Sequence, residues 1–524
     1  MPKKIALFWP GDARQKPNEL AMPGIVAATE QLERAFAKLG RATYRVGDVI
    51  AKPHEAIERL GPIDDPMVAV CTHWLYAPHT CDGVVGKDNP LLLASNFSGQ
   101  WPGLVGLLNT GASLESLGRA SSRAWTSAPD MSADAAFMER LDEWCTTGRI
   151  AYDESELHAA APIDEGAIAL ARSVADEIRK RRVLLLMLGD TSMGMINGYF
   201  GPRLLTQHGF TEHKVDQAWI VDRGRRIEQK RIDDAFRFVC DRGLEFHWGE
   251  GPSSAGAGGA GDFDERASKE QLRDYLVALD LIEEFKADCV GWQYQLGLIP
   301  LRPPSDLAEG LLNSKCRPES NGAPIVCSTE ADQGNALPME MLKRLLKKKG
   351  LHEAVMFHDV RWGAEAPDPV RAARSDGSGR FLWVLLNSGS CGAYAFNHDP
   401  DSLRGAHSWR QPRLYFPTPG GSFAGESLPG AMTWARAYIK GGKLWMDVGK
   451  GEVVKLPPAV RDDWWSGTTP EWPFMAADMG ISRDTLMAHY QSNHVAVAYG
   501  DVFAEMVALS RELGFEVRVL GRSL

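Results

Sequence analysis

The chain predicts two N-terminal Rossmann-like α/β domains followed by a mainly β C-terminal domain, and three observations carry that reading. The opening third alternates short apolar runs with helix-period stretches; a second unit sets a long helix pattern before the apolar run Val183 to Leu188; the last third turns to Gly-, Pro- and Trp-rich strand patterns. In order, Ile5 to Trp9 reads as a first strand and Ile25 to Leu39 as its helix. Tyr44 to Val46, Val68 to Cys71 and Leu91 to Ala94 follow as further strands, and Ala135 to Trp144 as a charged helix. Glu165 to Arg181 and Val183 to Leu188 open the second unit. Its strand breaks into Gly189-Asp190-Thr191-Ser192-Met193-Gly194, read either as a ligand-facing turn before a helix or as a tight connection, with no nucleotide fingerprint. Gly251 to Asp262 is low-complexity and reads as a surface loop. Lys269 to Phe285 is helical, and Cys289 to Gln295 alternates like a strand. Phe381 to Leu386 and Lys443 to Val448 typify the β-rich third. The boundaries are 1–162, 163–346 and 347–524.

With 524 residues, 44% hydrophobic and 24% charged, disorder and fibre are excluded and two to four domains are expected. The net charge of −10 and the absence of a basic block argue against a nucleic-acid partner. No apolar run approaches the ~20 residues that cross a bilayer, so no membrane partner is expected. Eight cysteines without a CxxC pair read as free thiols of a cytoplasmic protein.

Three segments place acid or imidazole groups beside an apolar strand. Pro324 to Thr329 ends at Glu330. Ala354 to Arg361 sets Asp359 and Arg361 on one face and His358 on the other, and His494 begins the run to Ala498. Two carboxylates and an imidazole suit a divalent ion that takes oxygen and nitrogen ligands, such as Mn²⁺ or Mg²⁺. Taken singly, Glu330 or Asp332 could cap the next helix, Asp359 could pair with Arg361, and His494 could be a satisfied edge histidine; spacing alone favours those plainer accounts.

Taken together, Cys71-Thr72-His73-Trp74-Leu75-Tyr76, Leu188 to Met195, Arg226 to Lys230, Gly291-Trp292-Gln293-Tyr294-Gln295, Thr329 to Asn335, Phe357-His358-Asp359-Val360-Arg361, Asn387 to Ser390 and Asn493-His494 resemble the L-fucose isomerase family of aldose–ketose isomerases. The resemblance runs over most of the chain. It implies a ketol isomerase that converts a free sugar, L-fucose- or D-arabinose-like, through a cis-enediolate. It further implies Glu330, Asp359 and His494 as ligands of Mn²⁺ or another divalent cation such as Mg²⁺ or Co²⁺, with Glu330 and Asp359 as the acid/base pair. Arg14, Trp74, Gln293, Trp472 and Asn493 are implied at the sugar, and a homo-oligomer, a hexamer, is the implied assembly. The sequence departs from the family in the apolar stretch Leu296 to Leu301 and in a shorter C-terminal part, which bears on the sugar accepted. Two alternatives accompany the reading: the same chemistry on an anionic aldose, sulfonated or carboxylated and met by Arg14, Arg203 or Arg361, or a non-catalytic sugar-binding module.

Overall fold

The structure is a computed structural model that describes residues 4–97, 103–190, 193–249, 251–252, 261–293, 297–320, 322–368, 370, 381–389 and 391–522. Most of the glycine-rich loop, together with Thr191-Ser192, Tyr294-Gln295 and Ser390, lies outside these residues.

Five parallel strands form the first sheet: β1 (Ile5–Phe8), β2 (Thr43–Arg45), β3 (Met67–Cys71), β4 (Leu91–Asn96) and β5 (Ser122–Thr126), in the order β2-β1-β3-β4-β5. Both faces are apolar because both are covered, which is why its strands read as unbroken hydrophobic runs. Ile5, Leu7, Val68, Val70 and Leu92 pack with Ile25, Leu32, Phe36 and Phe137 from two helices. Ala6, Phe8, Ala69 and Leu93 face Leu60, Val84, Leu104 and Leu108 on the other side. The two residues of β6 (Leu157–His158) leave this sheet and join another.

The second sheet is also parallel. It contains β7 (Val183–Leu188), β8 (Phe210–Val215), β10 (Cys289–Trp292) and β11 (Val326–Thr329), ordered β11-β10-β7-β8. Between them in sequence lies β9 (Glu245–His247), which belongs to a separate two-stranded sheet. The expected helix directly after the β7 turn is absent among the described residues: a 3₁₀ turn, Ile196–Gly198, and a one-turn helix, Pro202–Leu205, follow instead. Gly194 is the physical reason. At φ +75° it packs so closely on the Tyr76 ring that a Cβ would come within 2.7 Å of it, so the turn is spent on docking to the first domain.

The remaining strands are β12 (Val355–Glu365), β13 (Phe381–Leu386), β14 (His407–Trp409), β15 (Gly430–Lys440), β16 (Lys443–Val453), β17 (Phe474–Asp478), β18 (His494–Tyr499) and β19 (Glu516–Leu520). β14 pairs with β9. The others run β15-β18-β12-β13-β17-β16-β19-β6, and β15 also pairs with β16. The first six therefore close into an antiparallel ring, with β19 and β6 extending one side. The hairpin closing β15 on β16 turns at Gly441 and Gly442, whose φ of 57° and 73° suit the tight reversal that twisted strands need. On the outer face of the ring, Phe357, Ala435, Ala437, Ala496 and Ala498 pack with Leu337, Met341 and Leu345 of the helix Gln333–Lys348 and with Met506 and Leu509 of Phe503–Glu512. That packing presses the carboxyl end of β11 against the ring. All eight cysteines are free thiols, and among the described residues no helix is long and apolar enough to cross a membrane.

Candidate active site

Asp359 and His494 are cross-strand partners, paired in register between β12 and β18. Each lies an even number of residues from a side chain on the ring's outer face, Phe357 or Ala496, so both point toward the second sheet. There β11 ends in Glu330. His494 Nε2 lies 3.2 Å from Asp359 Oδ1 and 3.8 Å from Glu330 Oε2, and this buried nitrogen makes no hydrogen bond to the described residues.

The other imidazole nitrogen is fixed. His494 Nδ1 is 2.7 Å from Asp332 Oδ2. Asp332 also caps the helix Gln333–Lys348 through Gly334 N at 2.7 Å and pairs with Arg436, both side chains being fully buried. Burial alone would raise the Asp332 carboxyl, but the Arg436 and His494 interactions hold it below its ordinary value. Burial likewise opposes charge on His494, yet Asp359 and Asp332 outweigh it and push the imidazole up to about 9. The site thus favours positive charge between its carboxylates.

Glu330 and Ala331 carry φ of 62° and 53°, and Met193, in the same cleft, 40°. Three of the seven described non-glycine residues in the left-handed region thus gather here, and such strain persists where surrounding structure enforces it. The cleft encloses about 520 Å³ including its mouth and is lined by Arg14, Trp74, Met193, Ile299, Glu330, Asp359, Arg361, Asn387, Ser388, Tyr415, Phe416 and Trp472. That size and mix of aromatic walls with few charged groups suit a small polar ligand.

Of the residues expected at a sugar, Arg14, Trp74 and Trp472 line the cleft. Asn493 stands behind it and donates from Nδ2 to Asp359 Oδ1 at 3.0 Å. Gln293 is buried at the end of β10, where Gln217 donates to it, and is not among the lining residues. Arg14 pairs with buried Asp12 at 2.6 Å; burial opposes its charge but Asp12 overrides, so the guanidinium stays ionised. Arg361 makes no ion pair with Asp359 among the described residues. Two residues beyond Asp359 on β12, it shares that face and lines the cleft, where it sits 5.8 Å over the Trp472 ring with its buried Nε unbonded. Arg203 is exposed and away from the cleft. His358 faces Cys391 Sγ at 3.3 Å in the core.

Sequence reasoning missed the layer beneath. Trp472 Nε1 donates to Gln411 Oε1 at 2.8 Å, Gln411 Nε2 donates to Asp306, and Thr329 Oγ1 donates to Glu309. Both acids are fully buried on the helix Asp306–Leu312; an Asp and a Glu in a helix without cationic neighbours gave no sequence signal. Burial pushes Asp306 up to about 8, against the hydrogen bonds from Ser388 and Gln411. A carboxyl raised from 3.8 gives stability that is fully present below about pH 4 and is lost as pH climbs toward 8. Asp306→Asn, the neutral isostere, is expected to remove a slope of up to about 1.4 kcal/mol per pH unit across that window, read as the difference between variant and wild type in urea unfolding at a series of pH values.

Residues 385–520 match the family described as L-fucose isomerase, C-terminal domain. The L-fucose isomerase of Vibrio vulnificus (strain YJ016) is 28% identical over 43% of this chain and 43% of its own length. That of Bacteroides thetaiotaomicron (strain VPI-5482) is 22% identical over 71% of this chain and 70% of its own, and that of Phocaeicola vulgatus (strain ATCC 8482) 23% identical over 68% of each. The alignment thus spans less than half of the Vibrio relative and about two thirds of the other two. The domain match, and three relatives of one name that align with the chain at 22–28% identity, make it similar to the L-fucose isomerases.

Proposed function

We propose that the chain is a metal-dependent aldose–ketose isomerase acting on a free L-fucose- or D-arabinose-like sugar through a cis-enediolate. The observation that supports it most is the convergence of Glu330, Asp359 and the unbonded His494 Nε2 at one end of an aromatic cleft. The residues fit a divalent cation: the donors are two carboxylates and an imidazole whose Nδ1 is oriented by Asp332, an arrangement whose donor chemistry supports that reading. Glu330, Asp359 and His494 would hold Mn²⁺, Mg²⁺ or Co²⁺, which when bound supplies Lewis-acid polarisation of the sugar carbonyl.

In turning an aldose into a ketose, C2 loses a proton, C1 gains one, and a hydroxyl proton passes from O2 to O1. One of Glu330 and Asp359 takes the C2 proton and delivers it to C1; the other carries the hydroxyl proton. Positioned groups of this kind give about 10²- to 10⁴-fold in rate. Asn493 holds the orientation of Asp359, while Trp74, Tyr415 and Trp472 offer ring faces to the sugar's C–H surface and help exclude water. Arg14, fixed by Asp12, donates to sugar hydroxyls. The division at 1–162, 163–346 and 347–524, and a homo-oligomer, a hexamer, belong to the same proposal.

The test is ketose formation by chelator-stripped protein, with and without Mn²⁺, across neutral and anionic aldoses. Metal-dependent turnover of a neutral 6-deoxyhexose or pentose is the expected result. Sugar binding without turnover in every condition replaces the enzyme with a binding module. A second reading, the same chemistry on an anionic aldose, is favoured by Arg361: its guanidinium reaches the cleft without a carboxylate partner among the described residues. Turnover confined to sulfonated or carboxylated sugars, and lost in Arg361→Met, would establish it.

A further inference from the structure

Away from the cleft, β9 and β14 form their own two-stranded parallel sheet, in which His407 pairs with Glu245 and Trp409 with His247. The i, i+2 spacing on each strand sets Glu245, His247, His407 and Trp409 on one face. Their polar atoms converge. His247 Nε2 is 3.0 Å from His407 Nδ1, and the Glu245 carboxylate lies 3.2 Å from His407 Nδ1 and 3.7 Å from His247 Nε2. Among the described residues this is the group of His, Cys, Asp and Glu whose donor atoms all come within 4.8 Å of one another.

We infer that Glu245, His247 and His407 form a second cation site, for a nitrogen-preferring divalent ion of the Zn²⁺ class, held tetrahedrally with one position left for water. Zinc bonds of 2.0–2.2 Å to nitrogen and oxygen at tetrahedral angles place neighbouring donors about 3.3 Å apart. The 3.0 Å between the two ring nitrogens and the 3.2 Å from His407 Nδ1 to Glu245 Oε2 lie close to that edge. A calcium-type site would need six to eight oxygens, and here two of three donors are nitrogen. Preorganisation is also present. Trp409 stacks on the His247 ring with centroids 3.6 Å apart and planes 3° from parallel, and β14 is tied on its other side by Ala424, whose N and O both bond His407 at 2.8 and 2.7 Å.

The site has a structural reason to matter. Gln411, which holds Trp472 and Asp306, lies two residues beyond Trp409. A cation clamping β14 to β9 would stiffen the segment that positions one wall of the cleft.

The test uses the full chain, stripped with chelator and titrated with Co²⁺, whose intense visible bands report tetrahedral coordination. Two equivalents are expected in the wild type and one in His247→Gln/His407→Gln, with the tetrahedral bands lost. Trp409→Ala should weaken that equivalent by about 10-fold, the effect of losing a supporting contact. Glu330→Gln separates the two proposals: it should lose the cleft equivalent and keep the tetrahedral bands. Should the double variant fail to fold, His407→Asn, with a side chain that still hydrogen-bonds, takes its place. The same stoichiometry and spectrum in wild type and histidine variants would overturn the inference and leave the two rings joined only by a hydrogen bond.

Discussion

Glu330→Gln is expected to lower ketose formation by about 10⁴-fold, the upper end for a lost acid/base group, because the same carboxylate is proposed both to move protons and to hold the cation. The substitution keeps size and hydrogen-bonding shape. The backbone at φ 62° therefore meets no new steric demand, and the cleft walls are undisturbed. Urea unfolding should shift by no more than about 1 kcal/mol, the ordinary size of a single-substitution effect. Initial rates at saturating Mn²⁺, alongside the unfolding midpoint, check both halves. An active, normally folded Glu330→Gln enzyme would remove Glu330 from the mechanism.

Arg436→Met should do the opposite, striking stability first. Arg436 is fully buried in the centre of β15 and donates to Asp332, to Asn335 Oδ1 at 3.1 Å and to Asn197 O at 3.2 Å. Methionine fills much of the volume but leaves the buried Asp332 charge without its strongest partner. Removing one member of such a pair costs about 3–5 kcal/mol, more than the pair itself contributes, because the remaining ion has lost its water as well. His494 then loses a well-ordered anchor for Nδ1, so cation affinity should fall with stability. An Arg436→Met chain that unfolds within about 1 kcal/mol of wild type, well under that cost, would show that water reaches Asp332. Urea midpoints with and without Mn²⁺ measure both effects.

Much of the architecture was legible because its signals are local. The helix Glu165–Arg181 and the strand Val183–Leu188 have the bounds that their periodicity predicts, since a helix stripe and a buried parallel strand are each encoded within a few turns or residues. The period of two in Ala354 to Arg361 correctly separates Asp359 and Arg361, in the cleft, from His358, in the core. Closure of the ring was not legible, because β15 meets β18 and β16 through pairings that no local pattern specifies. Asp332 shows the same limit. Its spacing reveals a helix cap, which it is, but its bonds to His494 and Arg436 span 162 and 104 residues. One signal was available: Arg436 interrupts the apolar strand Trp434-Ala435-Arg436-Ala437-Tyr438, and a cation in such a strand demands a buried anion.

The short strand β6 has a consequence for how this protein is made. It pairs with β19, and the His158 ring reaches Gly521 O across 363 residues of chain. The first sheet can mature on the ribosome once β5 and the helix Ala135–Thr147 that follows it have emerged, with all its strands and covering helices local. The ring that carries Asp359 and His494 cannot, because β18 and β19 are among the later segments translated. A nascent chain stalled before β18 would therefore display a finished first domain without the cleft proposed to hold the cation, so translation itself separates the appearance of a folded surface from completion of the cleft.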